Sequence, residues 1–323
     1  MIEKFYKKRD FFIEIARLYY IEKLNQKEIA AKFNISRSNI SKLIKKCWQE
    51  GIIEIRIDNQ DSKTLLKGSQ LKRIFKLKHV TVVLSENNYQ ETLVSVGRKA
   101  ARYLESILKE NICIGIGWGT SLFQMVEQLN KKSVPGSTIV EMHGGLGARN
   151  ALVDGNELGR ALARKLNSSI YTINAPLVVR SKELKDLLCK EPNIAEVLAL
   201  AEKADVAFLG IGTSKPEYSA LNRAGFIDEK ETDCLYKKGA VGMVCGYYYD
   251  SQGRLLNSNV NDRIISLSLE KLKNISLTIG VAAGEQKVDA ILGALKGGYI
   301  NALFTDEIVA NKILEKKEYS SVL

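Results

Sequence analysis

Residues 111–122, NICIGIGWGTSL, place Gly115, Gly117 and Gly119 directly ahead of Thr120 and Ser121. An apolar run that ends in small residues and hydroxyls reads as a buried strand turning straight into a helix. The helix N-terminus leaves backbone N–H groups unpaired, and with the positive end of the helix dipole these make an anion site. Glycine lets the backbone approach a ligand closely, and Thr120 and Ser121 add hydroxyl donors. A phosphate suits such a site; a tight turn that holds no ligand is the alternative the same residues allow. The spacing is not the dinucleotide fingerprint, because Gly119 follows Gly117 too closely, nor a P-loop, because no Gly-Lys-Ser/Thr closes it.

Three more apolar runs end in glycine: HGGLGAR closes one at 143–149, DVAFLGIG spans 205–212 and VAAG spans 281–284. Lys287, in the first turn of the helix expected after VAAG, offers a countercharge to phosphate; an exposed surface lysine is the other reading. The expected phosphate ligands are therefore Gly117, Gly119, Thr120, Ser121 and Lys287. Around the remainder of such a ligand, its hydroxyls or a second anionic group, the candidates are His143, Gly144, Gly145 and Arg149, then Asn174 and Pro176, then Gly212 and Asp306. Asp306 serves equally well as the cap of the last helix.

Catalysis would need a positioned acid or base. The sequence shows no Ser-His-Asp arrangement, no paired-carboxylate spacing and no cluster of metal ligands. His79 and His143 are its only histidines, and Cys47, Cys113, Cys189, Cys234 and Cys245 are scattered without C-x-x-C spacing. The cysteines read as thiols in a reducing cytoplasm. Binding without turnover, with no metal and no cofactor beyond a small-molecule effector, is the expectation.

The elements that must position these residues fall into two parts that differ in charge. The chain has 323 residues and a net charge of +11. Residues 1–78 hold 19 Lys/Arg against 9 Asp/Glu, whereas residues 79–323 hold 29 against 28. A basic segment joined to a near-neutral body is the electrostatic footprint of nucleic-acid binding. No run of eighteen apolar residues exists, so no membrane span is expected.

Within the basic part, residues 10–24 show one apolar stripe at helical spacing. Asn25 with Glu28 forms a capping-box pattern ahead of QKEIAAKF, and Ser36 caps RSNISKLIKKCWQE, which stops at Gly51. In that third helix Ile40, Leu43, Ile44 and Cys47 share one face. Arg37, Ser38, Ser41, Lys42 and Lys45 make the other, a surface of short hydroxyls and long cations able to enter a major groove. Short helix, tight turn and basic helix read as helix-turn-helix. IIEIRI, 52–57, alternates like a strand and would form a wing, with Arg56 on a phosphate. Residues 59–78 read as a basic linker helix that packs on a second copy or on the next domain; a solvated linker is the alternative.

From residue 79 apolar strands alternate with helices, with strands expected over 79–84, 137–142, 169–179, 205–212, 277–284 and 301–305 and a strand pair or bulged strand over 239–250. Fully apolar strands between helices mean a mostly parallel sheet covered on both faces, in which ligands bind beyond the carboxyl ends of the strands. The fold class expected is thus a small all-α, winged helix-turn-helix domain (1–58) and a three-layer α/β/α, Rossmann-like domain (79–323).

The order of QKEIAAKFNISRSNISKLIKKCWQEGIIEIRI, GWGTS, VEMHGGLGA, DVAFLGIG, GAVG, VAAGEQKVDAILGALKGGYIN and LFTDE resembles the SorC family of sugar-binding transcriptional regulators over nearly the whole chain. The resemblance implies an effector domain similar to sugar-phosphate isomerases and deaminases of the ribose-5-phosphate isomerase type, without their catalysis. It further implies a homo-oligomer, dimer or tetramer, that binds a palindromic double-stranded operator and answers to a phosphorylated sugar. Carried over by position, the phosphate loop falls on Gly117, Gly119, Thr120 and Ser121, and its lysine on Lys287. The chain departs from many members in having Met243 where they have Asp after GAVG, and Ala283–Gly284 where they pair two glycines. Two rival readings remain at this stage: a sugar-phosphate isomerase with a fused DNA-binding head, and an RNA-binding or scaffold protein.

Overall fold

The structure, a computed structural model, describes residues 2–53, 62–147 and 155–316. The chain divides into two compact units, Met1–Asn59 and Gln60–Leu323.

The first unit is helical. Helix α1 (Ile2–Ala16) runs into one π turn, Arg17–Ile21, and is followed by α2 (Gln26–Phe33) and α3 (Arg37–Gln49). The first helix therefore starts ahead of residue 10, where the apolar stripe alone placed it. The Asn25 side chain accepts the Lys27 and Glu28 N–H groups at 2.9 and 3.0 Å, and the Glu28 carboxylate accepts the Asn25 N–H at 2.7 Å. Helix α2 stops at Asn34, whose φ of 52° is left-handed, a conformation asparagine tolerates. The chain then reaches Ser36, which accepts the Asn39 N–H at 3.2 Å and opens α3. Ile15, Leu18, Ile29, Ala30, Ile40 and Ile44 form the core, with Phe12, Ala16 and Cys47 beside them. Ile52 and Ile53 pack against that second group and are not in a strand. The remainder of the expected wing, with Arg56, lies outside the described residues.

The second unit is built on strands β1 (His79–Val83), β2 (Cys113–Ile116), β3 (Thr138–Glu141), β4 (Ser169–Tyr171), β5 (Val206–Gly210), β6 (Gly212–Thr213), β7 (Ala240–Val244), β8 (Tyr247–Asp250), β9 (Leu277–Val281) and β10 (Ala302–Asp306). Seven of them form one sheet in the order β1-β10-β9-β5-β2-β3-β4, and every neighbouring pair is parallel. Alternation along each strand feeds two cores. On β5, Val206 and Phe208 join one face while Ala207 and Leu209 join the other. Helices Tyr89–Ile107, Thr120–Gln128 and Gly155–Leu166 cover the first face; Pro192–Glu202, Val288–Lys296 and Glu307–Leu314 cover the second. Three layers result.

Two expected strands end early, for a reason each. The run 169–179 pairs only through Tyr171, at the sheet edge, and then makes isolated bridges, Gly145 with Pro176 and Val178 with Ile264. Pro176 has no N–H to give a ladder. The run 205–212 leaves the sheet at Gly210 and enters a separate antiparallel sheet, β6-β7-β8. Residues 240–250 are a hairpin whose turn, Cys245–Gly246, has φ of 51° and 86°. Of the expected linker, Ser62–Ile74 is a helix of the second unit, packed on β1 and on Glu307–Leu314, with Lys67 paired to Glu307.

Sheet order locates the binding edge. From β2 the chain moves to β3 and β4 on one side; β5 returns to the other side of β2, and β9 and β10 continue away from it. The direction of winding reverses between β2 and β5, so their tips diverge into a crevice. The two tips nearly touch at its base: a Cβ on Gly210 would lie 2.1 Å from the Trp118 carbonyl oxygen. Gly210→Ala must push the tips apart and is expected to lower unfolding free energy by ~1–3 kcal/mol. Urea unfolding of the full chain measures it; wild-type stability would mean that the tips are not in contact.

Candidate functional site

A cavity of about 510 Å³ opens at this crevice, a size suited to a small metabolite. Its floor is the turn after β2. Gly119, with φ of 125°, is the N-cap of helix Thr120–Gln128 and, lacking a side chain, puts no cap on the first turn. The N–H groups of Thr120, Ser121 and Leu122 have no acceptor among the described residues. Ser121 is 2 % exposed, and its hydroxyl likewise has no partner among them. A buried hydroxyl left unpaired costs stability unless something else meets it. Together these open donors present, on the cavity wall, an array of the kind that binds anions at helix N-termini.

Charge is supplied from two other elements. Lys287 stands at the end of the single 3₁₀ turn Glu285–Lys287 after β9, and Arg223 ends the short helix Ala220–Arg223. Both line the cavity, and neither forms an ion pair with a described residue. Burial, and secondly the Arg223 guanidinium, push the Lys287 ammonium down to about 8, with Asp306 acting in the opposite direction. The remaining walls are mostly apolar: Trp118, Leu146, Ile211, Met243 and Val281, with Tyr89, Tyr218, Thr213 and Gln286 as polar interruptions.

Of the expected ligands, Gly119, Thr120, Ser121, Lys287 and Gly212 are on this wall. Gly117 is spent on the scaffold: its N–H donates to the Phe208 carbonyl at 2.8 Å, fixing β2 to β5. His143 is fully buried behind the wall, Nδ1 2.7 Å from the Gly144 carbonyl oxygen and its ring 6.0 Å from that of Trp118. Gly144 is packed so tightly that a Cβ would lie 2.6 Å from the Ala175 carbonyl oxygen, and Gly145 bridges Pro176. Asn174 and Pro176 are exposed away from the cavity, Asn174 accepting the Thr172 hydroxyl at 3.2 Å. Asp306 caps the last helix, accepting the Val309 N–H at 3.1 Å and the Gly284 N–H at 2.6 Å. It thereby holds the loop that carries Lys287. Arg149 lies outside the described residues.

Sequence reasoning missed Arg223, Tyr89 and Trp118 as wall residues; Met243, marked in the sequence only as a departure from the family pattern, also lines the wall. Trp118 was legible in principle, since it sits inside the glycine motif. Arg223 was marked only by the faint signal of a cap, Ser219, ahead of a short helix.

On the first unit, Arg37, Ser38, Ser41, Lys42 and Lys45 are all exposed, while Ile40, Ile44 and Cys47 on the reverse of α3 are buried. The helix therefore presents to solvent the hydroxyl and cationic face that groove entry needs.

Residues 62–315 match the family described as "Putative sugar-binding domain", and residues 14–50 match "Sigma-70, region 4". The chain is 30 % identical over 308 residues to the deoxyribonucleoside regulator of Bacillus subtilis, covering 95 % of this chain and 98 % of that one. It is 35 % identical over 305 residues to the transcriptional regulator LsrR of Escherichia coli, covering 93 % of each. Among solved structures, the full-length sorbitol operon regulator SorC of Klebsiella pneumoniae superposes with a TM-score of 0.85 at 28 % identity, covering 95 % of this chain and 98 % of that one.

The depressed Lys287 gives the cavity a pH signature. A lysine held near 8 is charged at pH 7 and loses its proton as pH rises past that value, so anion affinity must fall with it. Sulfate keeps its own charge throughout this range. Its dissociation constant, by isothermal titration calorimetry, is expected to weaken by about tenfold between pH 7 and pH 9, and Lys287→Met should abolish that dependence. A flat wild-type profile would exclude Lys287 from the anion seat.

Proposed function

The chain belongs to the SorC family of sugar-binding transcriptional regulators, and from that premise we propose that its operator affinity is set by a phosphorylated sugar held between the tips of β2, β5 and β9. It is a DNA-binding regulator of carbohydrate utilisation with a sugar-type effector. The phosphate is the article of this reading that rests on the site itself. The observation that carries it is the uncapped helix start at Thr120, with the buried Ser121 hydroxyl lacking a partner among the described residues, facing the same cavity as Lys287 and Arg223.

The effector binds and is not turned over. No Asp, Glu or His among the described residues lines the cavity, so proton transfer at a sugar carbon would lack its usual base. Among the described residues, the groups there with acid–base capacity are phenols, a guanidinium and Lys287, and Lys287 is needed against the phosphate.

The regulator acts in the cytoplasm as a homo-oligomer. One recognition helix reads too few bases for a genomic site, and two helices on two-fold-related half-sites about one turn apart, ~34 Å, supply the rest. The effector can change operator affinity only by its differential affinity for the DNA-competent and incompetent states.

Two substitutions separate the two halves of this reading, with operator binding followed by fluorescence anisotropy and effector binding by thermal shift. Lys42→Ala removes one cation from the groove face and is expected to weaken operator binding roughly tenfold with effector binding unchanged; unaltered operator affinity would refute the assignment of α3. Thr120→Val with Ser121→Val should abolish the effector response and spare DNA binding. A double variant that responds to sugar phosphates with the wild-type midpoint would show that the anion seat lies elsewhere.

A further inference from the structure

The cavity wall at β7 carries a second piece of selectivity, distinct from the anion seat. Met243 is 3 % exposed and lines the cavity. Its backbone pairs with Gly212 on β6 and Tyr248 on β8, so its side chain is fixed on one face of the small sheet. There it lies directly over Gly212: a Cβ at that glycine would meet the Met243 Cε at 2.7 Å and Cγ at 2.9 Å. A side chain at position 212 would have to displace the thioether. The wall is therefore an ordered apolar surface rather than a gap that a water or a moving side chain could fill.

Tyr89, Tyr218, Arg223 and Gln286 line the cavity from elements outside this small sheet. On the sheet itself Thr213 accepts the Lys215 N–H at 3.3 Å. The Ser214 hydroxyl is buried and donates to the Ala240 carbonyl, behind the same strand. Trp118, Leu146, Ile211 and Val281 supply the other apolar walls, and no carboxylate among the described residues lines the space. A sugar hydroxyl turned toward the thioether would lose its water and find only the weak acceptor that a methionine sulfur provides.

We infer that the effector is a deoxygenated sugar phosphate, one whose carbon facing Met243 bears hydrogen in place of a hydroxyl. This rests on the phosphosugar reading above and narrows it to a substrate class, with Met243 as the residue that sets it. The selectivity arises from the cost of burying an unsatisfied hydroxyl, which amounts to roughly 10- to 100-fold in affinity.

Matched pairs that differ by one hydroxyl test it on the full-length wild-type chain by isothermal titration calorimetry: 2-deoxyribose 5-phosphate against ribose 5-phosphate, 2-deoxyglucose 6-phosphate against glucose 6-phosphate, and rhamnulose 1-phosphate against its 6-hydroxylated counterpart. At least one deoxygenated member is expected to bind tenfold or more tightly than its partner. Met243→Asn, which offers a neutral donor and acceptor, should reduce that ratio to near unity or reverse it, and Met243→Leu should preserve it. Failure of every pair to reach a tenfold preference for its deoxygenated member would overturn the inference and leave the phosphosugar reading standing. Should no sugar phosphate bind at all, that reading falls and the inference with it. The wild-type comparison decides the matter even where a variant fails to fold.

Discussion

The second unit depends on how closely β2 and β5 approach at their carboxyl ends. Gly117 donates to Phe208, and Gly210 lets the Trp118 carbonyl come within a distance no side chain would permit. That contact closes the base of the crevice at the point where the winding of the sheet reverses, and it sets the helix that begins at Thr120 directly beside the start of β6. The proposed anion seat is a consequence of this junction. A glycine N-cap leaves the first turn of the helix undecorated, and the neighbouring strands bring Lys287 and Arg223 to the opening from separate elements. Cations that lack counter-ions inside a mostly apolar cavity are unfavourable in the empty protein, as the lowered Lys287 ammonium reflects. An anionic guest relieves that cost.

The loop that carries Lys287 is tied to the connector that follows the first unit in sequence. Asp306 holds the Gly284 N–H and caps Glu307–Leu314; Glu307 pairs with Lys67 on Ser62–Ile74; Lys312 pairs with Glu285. These contacts form an unbroken set of packed and hydrogen-bonded groups from the cavity rim to the first helix of the second unit. Any effect of the effector on DNA binding has to be expressed as a difference in free energy between two arrangements of such groups. Of the net charge of +11, residues 1–59 carry +5, the connector 60–78 carries +5, and residues 79–323 carry +1, so the surplus belongs to the reader and the connector together.

Local chemistry was legible in the sequence and long-range convergence was not. The capping box at Asn25–Glu28, the Ser36 cap and the buried face of α3 depend on residues within a turn or two of each other, and each stands as the pattern implied. Gly119, Thr120 and Ser121, also consecutive, open a helix after β2 as their pattern implied. His143, Gly144 and Gly145 also follow a strand, yet β3 lies on the far side of β2 from the crevice, so their glycines serve packing against Ala175 and Pro176. Sheet order decides this, and strand-end glycines do not encode sheet order. Arg223 and Tyr89 reach the cavity from helices far apart in the chain, with nothing periodic to mark them. Asp306 showed both of its readings in the sequence; the structure places it as a cap that positions Lys287's loop.

Amide hydrogen exchange across 117–125 on adding a sugar phosphate tests the central claim most directly. An anion seated on the open first turn must protect the Thr120, Ser121 and Leu122 amides, which have no acceptor among the described residues of the free chain. Slowed exchange of that segment at saturating effector is the result expected. Unchanged exchange there, with protection elsewhere in the same complex, would contradict the account.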